Sequence, residues 1–108
     1  RGLGRQGGRG GPQAATLMAI RWTTSANRDL VRLHGFLEPV DRRAAARAVQ
    51  RLVTGAKHIA RHPRIGARLT EFDPREVRRL IVGDYELRYE VRGDALIMLR
   101  IWHVYEDR

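Results

Sequence analysis

The sequence contains no cysteine, which excludes a disulfide framework and any thiolate nucleophile or metal ligand. Long apolar runs are missing as well. The longest, residues 95–99, is strand-sized, far short of the ~20 consecutive apolar residues of a membrane-spanning helix. Lysine is nearly absent, Lys57 being the single one. Aromatic residues are few, with two Trp, three Tyr and two Phe. The four histidines (His34, His58, His62, His103) show no clustered ligand spacing, so neither a metal nor a cofactor is expected. The N-terminal stretch has no apolar core of the kind a secretion signal needs, and with the lack of cysteine this fits a cytoplasmic location.

What the chain does have is arginine. Its net charge of +9 over 108 residues favours an acidic partner, nucleic acid or an acidic protein segment, although arginine spread along a chain also serves as ordinary solvated surface. At this length one domain with one core is expected. Residues 1–17 hold six of the eleven glycines, three arginines and no acid, so they read as a disordered Gly/Arg-rich tail. Met18, directly before the first convincing strand, is a candidate natural start, which makes residues 18–108 the domain. Without the tail the charge is still 18 − 12 = +6.

From Met18 the residues Ala-Ile-Arg-Trp-Thr-Thr alternate apolar and polar side chains, a strand of about six residues. Ser25 reads as a helix N-cap, and Ala26, Leu30, Leu33 and Leu37 form one apolar stripe that stops before Pro39. Asp41 caps a second helix over residues 42–61. There Ala45, Ala48, Val49, Leu52, Ala56, Ile59 and Ala60 share a face, with most arginines opposite and Gly55 as a possible kink. A turn-rich loop spans residues 64–74. Three strands follow at 77–82, 85–92 and 95–104, joined by Gly83-Asp84 and Gly93-Asp94. On the middle strand Tyr85, Leu87, Tyr89 and Val91 oppose Glu86, Arg88 and Glu90. On the last, Ile97, Leu99, Ile101 and His103 oppose Met98, Arg100 and Trp102, and apolar residues on both faces place it inside the sheet. The expected fold class is α+β: an antiparallel sheet of about four strands, in β-α-α-β-β-β order, with a two-helix hairpin on one face. The pairing of the first strand is left open.

This order resembles the RelE/ParE toxin superfamily, whose members are also called plasmid-stabilisation proteins. The resemblance is carried by Ile20-Arg21-Trp22-Thr23 with Ala26 and Asp29-Leu30, by His62-Pro63-Arg64-Ile65-Gly66, by the run from Arg78 through Gly83-Asp84-Tyr85 into Arg88-Tyr89-Glu90-Val91, and by Leu99-Arg100-Ile101-Trp102-His103. It implies the toxin half of a bacterial type II toxin–antitoxin pair, with a cognate antitoxin as partner and a dimer or toxin–antitoxin hetero-oligomer as its assembly. Within the superfamily, ParE-like members poison DNA gyrase and RelE-like members cut messenger RNA on the ribosome. Ile81 stands where RelE-like members carry an arginine, and Tyr105 where they carry a basic residue; no later tyrosine follows. A second helix of about twenty residues after a first of about twelve also resembles the ParE-like hairpin. The resemblance therefore favours gyrase inhibition by binding, with no chemistry of its own.

The alternative is an mRNA endonuclease with His103 and Tyr105 as acid and base and Arg79 or Arg88 holding phosphate. A third reading is a non-toxic nucleic-acid-binding module, against which stands the lack of a helix-turn-helix or zinc-finger pattern. Candidate contacts for target or antitoxin are Arg78, Arg79, Arg88, Arg100, Trp102 and His103. The bland expectations beside these are a satisfied histidine at the core edge for His103, a packed aromatic for Tyr105, a sheet-face anchor for Trp102, and a solvated pair for Arg78 and Arg79, of which only one can face the helices.

Overall fold

The computed structural model describes residues 17–106; all but Leu17 of the tail expected over residues 1–17 lies outside them. The elements are β1 (Ala19–Trp22), α1 (Thr24–Leu37), α2 (Arg42–Arg61), β2 (Ala67–Arg68), a 3-10 turn (Thr70–Phe72), β3 (Glu76–Val82), β4 (Tyr85–Arg92) and β5 (Ala95–His103). They form one sheet in the order β1-β5-β4-β3-β2. The α+β class and the element order are as expected; the strand count and the pairing are not. The described residues form five strands, because the loop after α2 contributes the two-residue β2 at the edge of β3. The sheet is mixed, because β1 pairs parallel with β5 from Ala19↔Ala95 to Trp22↔Met98. Two helices and a meander separate these strands in sequence, ample chain for the crossover that a parallel pair needs.

The hairpins β3–β4 and β4–β5 turn at Gly83 and Gly93, whose φ angles of 60° and 58° suit glycine at the first central position of a tight turn. Helix α2 starts as read: Asp41 accepts from the backbone N–H of Arg43 and Ala44 at 2.9 and 3.1 Å. Helix α1 does not. Its cap is Thr23, whose Oγ1 accepts from Ala26 N at 3.0 Å, and Ser25 already lies inside the first turn. Gly55 does not interrupt α2, which is helical from Arg42 to Arg61. A Cβ there would lie 3.2 Å from a Val82 methyl, so the glycine lets the helix approach β3.

The core lies between the hairpin and one sheet face. Ala26, Leu33, Leu52, Ala56 and Ile59 pack on Leu87, Tyr89, Leu96, Met98 and Ile101, each large apolar side chain here contributing about 1.5–3 kcal/mol by burial. On β5 the expected alternation fails. The register runs Tyr85↔His103, Leu87↔Ile101 and Arg88↔Arg100, then Tyr89↔Met98, leaving Leu99 as an extra residue. This bulge changes the phase of the strand. Leu96, Met98, Ile101 and His103 face the helices, while Ile97, Arg100 and Trp102 share the opposite face with Glu90, Arg88 and Glu86.

Candidate functional site

The sheet face away from the helices carries four of the predicted contact residues. Arg79 on β3, Arg88 on β4, and Arg100 and Trp102 on β5 are brought together by register, Arg79↔Arg88↔Arg100. Trp102 is buried between two guanidiniums, Arg88 at 4.7 Å and Arg100 at 4.9 Å from its ring centroid. It is thus a sheet-face anchor held by cation–π contacts. Arg88 also lies 5.7 Å from the Phe72 ring. Glu86, only 2% exposed, lies beneath the cluster with Arg88 at 3.2 Å and Arg79 at 3.9 Å. Beside it, hydrogen bonding from Arg75 at 2.9 Å, aided by Arg92, holds the Glu90 carboxyl below its usual pKa against the effect of burial. This face is a lattice of arginines already matched to carboxylates.

Arg78 faces the helix side, as one of the two adjacent arginines must. It is not a free cation: it donates to Glu76 Oε2 at 2.9 Å and to the Gly66 carbonyl at 2.7 Å, with its side chain 14% exposed. The Tyr89 hydroxyl donates to the Pro63 carbonyl at 2.8 Å and accepts from Gly66 N–H at 3.0 Å. A Cβ at Gly66 would come within 2.6 Å of both the Arg79 carbonyl oxygen and the Tyr89 hydroxyl, so only glycine fits. The His62–Gly66 segment is therefore a structural clasp that ties the end of α2 to the sheet.

A third set of residues satisfies the open edge of β5. Pairing with β1 ends at Met98, whose carbonyl accepts from Thr23 N at 3.1 Å, and the Thr23 hydroxyl donates to the Leu99 carbonyl at 3.0 Å. Beyond the bulge no strand among the described residues covers β5, and side chains take its place. Asp29 on α1 accepts from Ile101 N at 2.8 Å, Arg32 donates to the Ile101 carbonyl at 3.1 Å, and Glu106 accepts from His103 N at 3.1 Å. Asp29 also binds Arg100 at 2.8 Å and Arg32 at 3.0 Å, and Arg32 pairs with Glu106. Burial alone would raise the Asp29 pKa, but hydrogen bonds from Arg100, Ile101 N–H and Arg32 outweigh it and hold the carboxyl below its ordinary value. The sequence reading assigned Asp29 no role. Its one signal is an acid on the otherwise apolar side of α1, where only a partnered carboxylate is tolerated.

Next to this edge a cleft of about 580 Å³ opens between α1 and the end of the β4–β5 hairpin, lined by Leu33, Phe36, Leu37, Tyr85, His103 and Tyr105 among others. His103 packs edge-on to Tyr85, ring centroids 5.4 Å apart, and its Nδ1 accepts from Tyr105 N at 3.2 Å. It sits half-buried at the border of the core. Tyr105 is not the packed aromatic expected. It is 86% exposed, because the chain turns away from the sheet after Val104, with its ring centroid 5.5 Å from that of His103.

The residues named for a nuclease thus fall on two sides. His103 and Tyr105 line the cleft beside α1, whereas Arg79 and Arg88 lie on the far sheet face, engaged with Glu86. Among the described residues no cluster of His, Cys, Asp or Glu can hold a metal ion, and no helix is long and apolar enough to cross a membrane.

A mixed five-stranded sheet with a helical hairpin on one face, an arginine-carboxylate lattice on the other, and an apolar cleft at the hairpin's edge define a small basic α+β protein of the RelE/ParE class. Residues 20–108 match the family model described as ParE toxin of type II toxin-antitoxin system, parDE, and the chain belongs to that family. It is 33% identical over 87 residues to Toxin RelE3 of Caulobacter vibrioides, covering 77% of this chain and 90% of that protein. A solved chain from the chromosomal ParDE toxin–antitoxin system of P. aeruginosa superposes with a TM-score of 0.69 at 26% identity, over 82% of this chain and 98% of that one. The chain is accordingly a toxin of the type II class, which implies an antitoxin partner.

Proposed function

We propose that this toxin acts by binding DNA gyrase, with no chemistry of its own, and that a cognate antitoxin neutralises it by covering α1 and the cleft beside it. The observation that carries the reading is the division of the nuclease candidates between two sheet faces. Cutting RNA at a ribose 2′-hydroxyl requires a base, an acid and a charge-stabilising cation converging on one phosphate within hydrogen-bond reach. His103 and Tyr105 have no arginine of the Arg79, Arg88 pair on their side, and those guanidiniums are already engaged with Glu86 and Trp102. The match to the ParE family supports the same branch. Exposed Phe36 and Tyr105 at the cleft offer the aromatic anchors that protein partners use. The reading implies a cytoplasmic protein.

The test is purified protein in two assays. Inhibition of gyrase supercoiling, with mRNA left intact on translating ribosomes, is the expected result. Unchanged supercoiling together with mRNA cut in the ribosomal A site would overturn the proposal in favour of the endonuclease. Expression that leaves growth untouched would favour the non-toxic nucleic-acid-binding alternative.

A further inference from the structure

Helix α2 carries six cations, Arg42, Arg43, Arg47, Arg51, Lys57 and Arg61, and no acid. At 100° per residue, Arg43, Arg47, Arg51, Lys57 and Arg61 fall within an arc of about 120° and extend over about 27 Å of helix. All five are exposed, opposite the face that buries Ala45, Leu52, Ala56 and Ile59. Their charges are unanswered. Nine arginines elsewhere in the described residues make ion pairs, whereas none of the α2 cations does.

This arrangement works against the helix. The pairs 43/47, 47/51 and 57/61 are like charges one turn apart, and Arg42 and Arg43 sit at the positive end of the macrodipole, where the N-cap carboxylate of Asp41 is followed by no acid in the first turn. A glutamate at any of these positions would relieve the repulsion.

We propose that the exposed face of α2 is a docking surface for the phosphate backbone of duplex DNA. A rigid line of unpaired cations meets a rigid polyanion by releasing its condensed counterions. A protein partner would want apolar anchors, and none of the exposed large apolar side chains lies on α2; Phe36 and Tyr105 instead line the cleft, and Val40 lies in the loop before α2. Single-stranded nucleic acid would want stacking platforms, and α2 has no Phe, Tyr or Trp. The choice of DNA over double-stranded RNA rests on the reading of the target as a DNA-dependent enzyme.

The experiment is anisotropy of a labelled DNA duplex titrated with the full chain over a range of salt, with no gyrase present. The wild type is expected to show log K falling with log salt at a slope of about −4, from four to five phosphate contacts at about 0.9 each. Replacing Arg43, Arg47 and Lys57 together by Gln is expected to weaken binding about tenfold or more and to flatten the slope by about 2.7. An equal charge change at ion-paired positions, Arg64→Gln, Arg68→Gln and Arg92→Gln, is expected to leave the slope in place. The proposal is overturned if the α2 variant, folded by circular dichroism, keeps the wild-type slope, or if the control variant loses as much. Tighter binding of the single strand, or of an oligoglutamate peptide, than of the duplex overturns it too. Because gyrase is absent, loss of this surface and loss of supercoiling inhibition are read separately.

Discussion

Replacing Asp29 tests how the edge of β5 is held. Its carboxylate, in a residue 3% exposed, accepts from the buried Ile101 N–H and from Arg100 and Arg32. In Asp29→Ala the Ile101 N–H loses its only protein acceptor among the described residues, a desolvation cost of about 1–3 kcal/mol. The two arginines count for less, since their side chains are 40% and 43% exposed and water rescreens them. We expect a loss of about 2–3 kcal/mol, a fall in Tm of roughly 10–20 °C for a domain of this size. Asp29→Asn keeps an acceptor for Ile101 and gives up only the charge, so about 1 kcal/mol is expected.

The pH dependence follows from the depressed pKa. A carboxyl held below its unfolded value of 3.8 contributes stability that is fully present above that value and is lost as pH falls through the folded one. The gap between wild type and Asp29→Asn should therefore be widest near neutrality and close below about pH 4. Urea unfolding at a series of pH values, followed by circular dichroism, measures both effects. An Asp29→Ala protein within about 0.5 kcal/mol of wild type, or an Asn variant whose deficit persists unchanged into acid, would refute the reasoning.

Two further predictions use the same protein. Tyr89→Phe removes the hydroxyl that joins Pro63 and Gly66 and should cost about 1–3 kcal/mol in urea unfolding; an unchanged midpoint would mean that Arg78 alone secures the clasp. His103→Ala combined with Tyr105→Phe should still arrest growth on induction, since no acid–base step is assigned to them. Loss of arrest by a folded, normally expressed double variant would restore the endonuclease reading.

The fold was legible in the sequence to the extent that it is written in local patterns. The helical stripes, the Asp41 cap and the two Gly-Asp junctions depend on residues within a few positions of one another, and the elements lie where those patterns put them. What failed is non-local. A strict period of two places Ile97 and Ile101 on one face, and nothing near Leu99 announces the extra residue that separates them. The partner of that residue's carbonyl is 76 residues away: Thr23, which follows β1 and caps α1, donates to the Leu99 carbonyl. The parallel β1–β5 pairing and the role of Asp29 have the same origin, because all three concern how the start of α1 leaves the edge of β5. The candidate site was legible as a set of residue types and not as a place. Arg78 and Arg79 differ by one position and serve different layers, one tied to Gly66 and Glu76, the other paired across the far face with Glu86.

The positive charge shows why composition alone could not choose between a solvated surface and a binding face. Both are present, and what separates them is the distribution of the acids. Glu76, Glu86 and Glu90 lie on the strands and Asp73 beside them, within 4 Å of arginines. Those ion pairs are mostly part-exposed and each adds little to stability; their effect is to cancel the field of the sheet. Asp29 and Glu106 do the same for Arg32 and Arg100. Because the ion-paired acids lie on the sheet and its edge, six of the unpaired cations of the described residues fall on α2. A sum over the sequence reports only the excess of base over acid. Where that excess lies is decided by which carboxylates the fold brings to which guanidiniums, and for this chain it leaves a helix that repels itself unless something anionic lies against it.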